Sequence, residues 1–308
     1  MAGRGETLMI DVCLAGTGGM MPLKNRWLTC LWAEYQGKAV LIDCGEGTQI
    51  ALAESGLKMS KLDAIFLTHI HADHIAGLPG LLLSLGNCGK ADTLNIYGPE
   101  GVIKAVESLC YVCPFLPFGI EVSELRTDEI TKLTRDDITV TFLPLQHRIP
   151  CLGYSFTLKR KPVFNPDKAT ELEIPQKLWN RLHSGENVEL DGRTITPDMV
   201  TDEERKPLKL TYITDSVYCG KMIPFAENSD LLICEGMYGD DDNIEKMTEK
   251  CHMVFSDSAR IAAAANVKEL WLTHYSPALA NPEDYAESVR SIFPNTVISR
   301  DGQKTTLK

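Results

Sequence analysis

Short apolar or alternating stretches open the chain. Residues 8–14, 30–35, 39–43 and 64–67 are separated by Gly- or Asn-rich turns, the pattern of strands in a sheet. Helical spacing intrudes at 48–54, 78–85, 101–109 and 258–265. The strand signal returns at 138–143, 153–158, 209–214, 231–234, 269–273 and 296–299. Strands lead each half, helices follow, and no repeat of fixed period is present. The expected architecture is therefore α/β, two layers of sheet with helices outside.

One stretch breaks this pattern. Residues 159–207 are polar, carry Pro162, Pro166, Pro175, Pro197 and Pro207, and show one helical piece around 177–183. The stretch is too long for an ordinary connection, so it reads as an arm projecting from a single domain that otherwise takes in residues 1–308. Its charge between 159 and 186 is mildly positive: Lys159, Arg160, Lys161, Lys168, Lys177 and Arg181 face Asp167, Glu171, Glu173 and Glu186.

Composition narrows the classes. With 308 residues and 44% hydrophobic positions the chain can fill a core, and 23 Gly with 16 Pro exclude collagen-like or low-complexity character. No apolar run approaches the ~20 residues that cross a bilayer, and the opening MAGRGETLMIDV lacks a charged-then-apolar leader, so a cytoplasmic protein is expected. The 42 acidic against 31 basic residues leave a net charge of −11, which disfavours a nucleic-acid partner unless a basic surface is local. Ten scattered cysteines read as free thiols of a reducing compartment, and the single pair Cys110-x-x-Cys113 is weak evidence for zinc or redox chemistry.

The histidines are few and grouped. Thr68-His69-Ile70-His71-Ala72-Asp73-His74 sets three imidazoles and a carboxylate directly after the strand at 64–67. Imidazole nitrogen and carboxylate oxygen suit zinc or a similar divalent ion. His69 and His71, two apart, can face the same way at a strand end, while Asp73 and His74 lie past the turn and can reach a second ion.

T-H-x-H-x-D-H after a strand resembles the metal signature of the metallo-β-lactamase superfamily, whose fold is an αββα sandwich with a dinuclear site at one sheet edge. The further ligands that this resemblance implies follow in order: His147 in Leu-Gln-His-Arg, Asp215 in Ile-Thr-Asp-Ser, and His274 in Leu-Thr-His-Tyr-Ser-Pro. Within the superfamily the chain resembles ribonuclease Z, the tRNA 3′-processing endoribonuclease, in its short form. Asp43-Cys-Gly-Glu-Gly-Thr-Gln49, the loop Gly16-Thr-Gly18 with Pro22, Lys24 and Arg26, Glu235 and the His252 segment carry that resemblance.

The resemblance implies two Zn²⁺ ions, or Mn²⁺ in their place. His69, His71 and His147 would hold one, His74, His274 and Asp73 the other, with Asp215 bridging. Two such ions activate a water and steady charge on a phosphoryl oxygen. Asp73 would act as general base and His252 as proton donor, leaving a 3′-hydroxyl on the tRNA and a 5′-phosphate on the trailer. Asp43, Glu46, Thr48 and Glu235 would orient ligands or touch substrate. The partners implied are precursor tRNA and a second copy in a homodimer, with the arm gripping the tRNA.

The chain also departs from the family pattern. Ile174-Pro-Gln-Lys-Leu178 replaces a glycine-proline element in the arm, Trp27 stands where Asn is usual, and Met253-Val254 follow His252 in place of Ser-Thr. These differences bear on substrate preference rather than on hydrolysis. The alternative is a hydrolase of the same fold acting on another phosphodiester or ester; a non-catalytic RNA-binding paralogue would have no need of seven ligands. Asp240-Asp241-Asp242 lacks the alternate spacing of a calcium loop and reads as a solvated face, and His183 reads as a surface residue of the arm.

Overall fold

The computed structural model describes residues 8–135, 137–160, 162–203 and 205–308; Lys161, one of the arm's six expected cations, and residues 1–7 of the opening stretch lie outside the described residues. The described residues divide into a larger unit, Leu8–Thr157 with Leu208–Lys308, and a smaller one, Leu158–Pro207.

The larger unit begins with β1 (Ile10–Gly16), β2 (Cys30–Tyr35), β3 (Lys38–Ile42), β4 (Leu62–Phe66), β5 (Leu94–Gly98) and β6 (Ile120–Glu124), neighbours in that order in one sheet. The chain then enters a second sheet with β7 (Thr131–Arg135), β8 (Ile138–Leu145) and β9 (Cys151–Leu158). It passes through β10 (Val188–Leu190) and β11 (Arg193–Ile195) of the smaller unit and returns as β12 (Leu208–Ile213), β13 (Leu231–Glu235), β14 (Leu270–Thr273) and β15 (Thr296–Ile298). Finally β16 (Gln303–Leu307) pairs antiparallel with β1.

Both sheets have a parallel half. β3 to β6 run parallel, as do β12 to β15. Such strands are covered on both faces, which is why Leu-Leu-Ile-Cys-Glu of β13 and Leu-Trp-Leu-Thr of β14 are buried at every position. Aromatic contacts hold the sheets face to face: Phe66 of β4 lies 5.4 Å from the Tyr154 ring and 5.3 Å from Phe156, both on β9. Two buried hydroxyls add directional links, Tyr154 donating to the Leu67 carbonyl at 2.6 Å and Tyr212 meeting Thr29 at 2.6 Å.

Helices cover the outer faces. α1 (Thr48–Glu54), α2 (Ala72–Ile75), α3 (Leu78–Asn87) and α4 (Val102–Cys110) follow strands of the first sheet; Leu52, Leu81, Leu82 and Leu85 share a core with Trp32 and Leu41. In the smaller unit α5 (Pro166–Glu171) is capped by Asn165, whose side chain accepts from the Asp167 and Lys168 amides, and α6 (Gln176–Ser184) stops at Gly185 in the left-handed region. Ala169, Leu182, Val188 and Val200 give that unit its own small core, with the Trp179 indole donating to the Ile174 carbonyl at 2.9 Å. α7 (Met222–Ala226), α8 (Ile244–Lys250), α9 (Phe255–Ala264) and α10 (Ala286–Ile292) belong to the second half; Phe255, Ile261 and Val289 share a core with Leu232 and Leu272. The layers are thus helix, sheet, sheet, helix. Among the described residues no helix is long and apolar enough to cross a membrane.

Candidate metal centre

The chain puts its polar side chains where strands end. His69, His71 and His74 follow β4, His147 follows β8, Asp215 follows β12, Glu235 closes β13 and His274 follows β14. Ligand sites form at such carboxyl ends because neighbouring strands deliver their loops to one edge. Two of these turns, and the turn after β3, place non-glycine residues in left-handed backbone: Asp215 at φ 45°, His274 at φ 59° and Asp43 at φ 61°. Strained φ at three residues of one site marks a geometry imposed by the surrounding packing.

All seven ligand candidates converge. The ring nitrogens of His69 and His71 approach to 2.9 Å and those of His71 and His147 to 3.2 Å. In a second group, Nε2 of His74 faces Nε2 of His274 at 3.2 Å, with Asp73 Oδ2 3.5 Å from each. Asp215 stands between the groups. Its Oδ1 lies 3.3 Å from His74 Nε2 and 3.2 Å from His274 Nε2, and its Oδ2 lies 3.7 Å from His69 Nε2 and 4.0 Å from His147 Nε2. His69, His74 and His274 are fully buried.

Backbone and carboxylate partners fix the rings. His74 Nδ1 donates to Asp43 Oδ2 at 2.8 Å, while Asp43 Oδ1 accepts from Thr68 N at 2.8 Å and Thr68 Oγ1 at 2.9 Å. His147 Nδ1 donates to the Cys251 carbonyl at 3.2 Å, which leaves Nε2 for the cluster. Asp73 Oδ2 accepts from the Met20 amide at 2.7 Å. Two glycines make room: a Cβ on Gly45 would stand 2.4 Å from the Asp73 carbonyl oxygen, and one on Gly19 2.7 Å from the His274 ring.

The site calls for cations. Burial pushes the His69 and His71 rings towards the neutral form and His147 down to about 4, the state that offers a lone pair. Burial acts on His74 in the same direction, but the Asp215 and Asp43 carboxylates outweigh it and raise its proton affinity. Ring nitrogens otherwise meet one another across 2.9–3.2 Å next to two carboxylates. Divalent cations would answer both features, so the donor set fits the metal expected from the sequence.

His252 sits beside this cluster, its Nδ1 donating to Glu235 Oε2 at 2.9 Å and lying 3.9 Å from Asp215 Oδ2. Burial lowers its proton affinity, yet Glu235 and then Asp215 reverse the effect and push the ring up to about 9. Glu235 is itself buried and accepts the Ser216 amide at 2.6 Å. A cavity of about 360 Å³ opens over Asp73, Asp215, His147, His252 and His274.

Other expected residues stand apart. Glu46 is exposed on the turn before α1, outside the cluster. Thr48 is buried and its hydroxyl donates to the Gly45 carbonyl at 2.7 Å, so it shapes that turn. Gly47 starts α1 at φ 85° beneath the Trp27 ring, which a Cβ would approach to 2.6 Å. Cys110 and Cys113 are free thiols outside every potential metal group among the described residues, and His183 is exposed. The Cys251 carbonyl and the Met20 and Ser216 amides were absent from the sequence reading, since main-chain groups leave no signature in residue type.

The sandwich and its paired ligand groups define a protein of the metallo-β-lactamase fold. The metallo-β-lactamase fold protein YhfI from Bacillus subtilis superimposes with a TM-score of 0.69 at 24% identity, covering 97% of this chain and 99% of that one. Human tRNase Z, short form, gives a TM-score of 0.69 at 23% identity, covering 97% and 99%. Sequence relatives go further. Ribonuclease Z from Agathobacter rectalis is 47% identical over 300 residues, covering 97% of this chain and 98% of its own length. The Clostridium acetobutylicum ribonuclease Z is 46% identical over 300 residues, covering 95% and 96%. The model of the family described as Anti-Pycsar protein Apyc1 matches residues 10–184. The chain belongs to the ribonuclease Z family and, over residues 10–184, to that of Apyc1.

Proposed function

We propose that this chain is a metal-dependent endoribonuclease that removes the 3′ trailer of precursor tRNA. The observation that carries the reading is Asp215, whose two carboxylate oxygens face two separate histidine groups, in a chain 47% identical to a ribonuclease Z. His69, His71 and His147 would hold one Zn²⁺ or Mn²⁺, His74, His274 and Asp73 would hold a second, and Asp215 stands between the two groups. Bound there, the ions supply Lewis acidity that activates water near neutral pH and offsets charge on the phosphoryl oxygens.

The chain's own groups do the rest. Asp73 lines the cavity, its Oδ2 held by the Met20 amide, and its carboxylate takes the proton of the attacking water. His252 hands a proton from Nε2 to the leaving 3′-oxygen, its Nδ1 being committed to Glu235. Cleavage of that bond leaves a 3′-hydroxyl on the tRNA and a 5′-phosphate on the trailer. The unit at Leu158–Pro207 grips the tRNA. A homodimer is supported by the exposed apolar side chains Tyr111, Val112 and Phe115, a surface that a second copy would cover. The setting is cytoplasmic, where precursor tRNA is found.

Incubating pure protein with a 3′-extended pre-tRNA and zinc or manganese tests the reading; cleavage beside the discriminator nucleotide is the expected result, and its absence sinks the proposal. One other reading, hydrolysis of a different phosphodiester or ester, would use the same ligand groups and the same cavity. Turnover of bis-p-nitrophenyl phosphate without any of pre-tRNA would select it.

A further inference from the structure

The rim of the cavity over the metal centre is not uniform. Beside Asp73 it is acidic, but Tyr238, Lys250, Arg148 and Ser276 also line it. Lys250 ends α8, whose sequence Ile-Glu-Lys-Met-Thr-Glu-Lys buries Met247 and leaves Lys246 and Lys250 exposed. Residues four apart share a helix face, which puts the two lysines on one side of α8. Like charges in that relation repel, and an acidic neighbour would relieve them. Glu249 is three residues from Lys246, yet among the described residues neither lysine has an ion-pair partner. Lys246 Nζ instead lies 4.8 Å above the Tyr238 ring. In a chain of net charge −11, an unneutralised pair of cations beside a catalytic cavity is a place prepared for an anion.

Chemistry supplies the direction. In an in-line displacement the entering and leaving oxygens lie on opposite sides of phosphorus, so the groups that serve them bracket it. His252 follows Lys250 by two residues and serves the leaving 3′-oxygen, which belongs to the nucleotide upstream of the cut. We infer that Lys246 and Lys250, with the Tyr238 phenol, clamp the RNA phosphate immediately upstream of the scissile bond and so fix the direction in which the strand enters. The clamp rests on the endoribonuclease reading above and adds to it a polarity that the metal ligands alone do not set. Tyr238 suits the task because its phenol faces Ser276 and Lys246, which lower its proton affinity and make it a better donor to an anion.

A double-substitution cycle on protein and RNA tests this. Pre-tRNA is assembled by ligation with one methylphosphonate, either one linkage 5′ or one linkage 3′ of the cut, beside a 2′-deoxy sugar also present in the all-phosphate reference. Single-turnover kcat/KM is measured for the parent and for the Lys246→Gln/Lys250→Gln variant, whose exposed side chains are dispensable for folding. Expected is a loss of about tenfold from either change alone, no further loss when the upstream methylphosphonate meets the variant, and a salt dependence flattened by about 0.7 in log–log slope. Additive losses with the upstream linkage overturn the clamp, and coupling to the downstream linkage instead overturns its polarity. A parent that fails to cut the all-phosphate RNA overturns the underlying reading, a result distinct from both.

Discussion

Buried Glu235 pairs with the half-buried His252 ring at 2.9 Å, and the other oxygen of that carboxylate is anchored by the Ser216 amide at 2.6 Å. The anchor prevents the carboxylate from swinging, so the ring is aimed from behind. Glu235→Gln keeps size and one hydrogen bond but removes the charge that holds the ring protonated. Single-turnover cleavage of pre-tRNA should fall about 10–100-fold with KM little changed, and His252→Ala should cost about 10²–10⁴-fold. A Glu235→Gln enzyme of parental rate would show that the pair is only structural.

Asp43 aims His74 in the same manner, through its 2.8 Å contact with Nδ1. Asp43→Asn should weaken zinc binding about 10–100-fold, because outer partners of metal-bound imidazoles carry that much affinity. Competition with a chromophoric chelator measures it without recourse to activity.

Removal of metal should soften the whole larger unit. Without cations, imidazole nitrogens oppose each other at 2.9–3.2 Å beside Asp73 and Asp215. Free zinc at a thousandfold excess over its dissociation constant contributes about 4 kcal/mol per site to the folded state. The melting temperature in calorimetry should drop by about 10 °C on chelation and return on adding zinc.

Asp301 ties the N-terminal loops to the far end of the chain. Its carboxylate accepts from the Thr17 amide at 3.0 Å, the Thr17 hydroxyl at 2.7 Å and the Trp27 amide at 2.5 Å. Asp301→Ala strands three donors, two of them on buried Thr17, and should cost about 2–4 kcal/mol in urea unfolding. Asp301→Asn, which keeps the acceptor oxygen, should cost less than half as much.

Replacing residues 159–207 with a short Gly-Ser turn should separate grip from chemistry. Cleavage of pre-tRNA is expected to fall about 10²-fold as phosphate contacts are lost, while bis-p-nitrophenyl phosphate turnover persists. Equal loss of both activities would argue that the segment supports the metal site.

Much of this was legible in the sequence because ligand chemistry and strand ends coincide. The T-H-x-H-x-D-H run sits directly behind β4, and each later ligand also follows or closes a buried strand whose apolar residues announce it. β2 and α1 match the periodic reading residue for residue, whereas α9 starts at Phe255, three residues before the expected 258. β6 (Ile-Glu-Val-Ser-Glu) and β7 (Thr-Lys-Leu-Thr-Arg) escaped notice because they are sheet edges, half exposed and charged. β16, Gln-Lys-Thr-Thr-Leu, is nearly all polar and is a strand only because β1 offers it a partner. The backbone acceptors and donors that hold His147, Asp73 and Glu235 could not be read at all, since every residue carries the same amide.

The smaller unit leaves the sheet at the end of β9 and rejoins it at the start of β12, strands that are neighbours, with Ser155 and Thr211 touching at 2.9 Å across them. Inheritance can therefore rewrite residues between those two points without shifting any metal ligand. The Ile174–Leu178 segment lies within that stretch, its Ile174 carbonyl accepting from the Trp179 indole at 2.9 Å. If the smaller unit grips the tRNA as proposed, selection for which RNAs are held and selection for how they are cut act on separate stretches of one polypeptide, so a lineage can change its clientele while its hydrolytic machinery stays as it was.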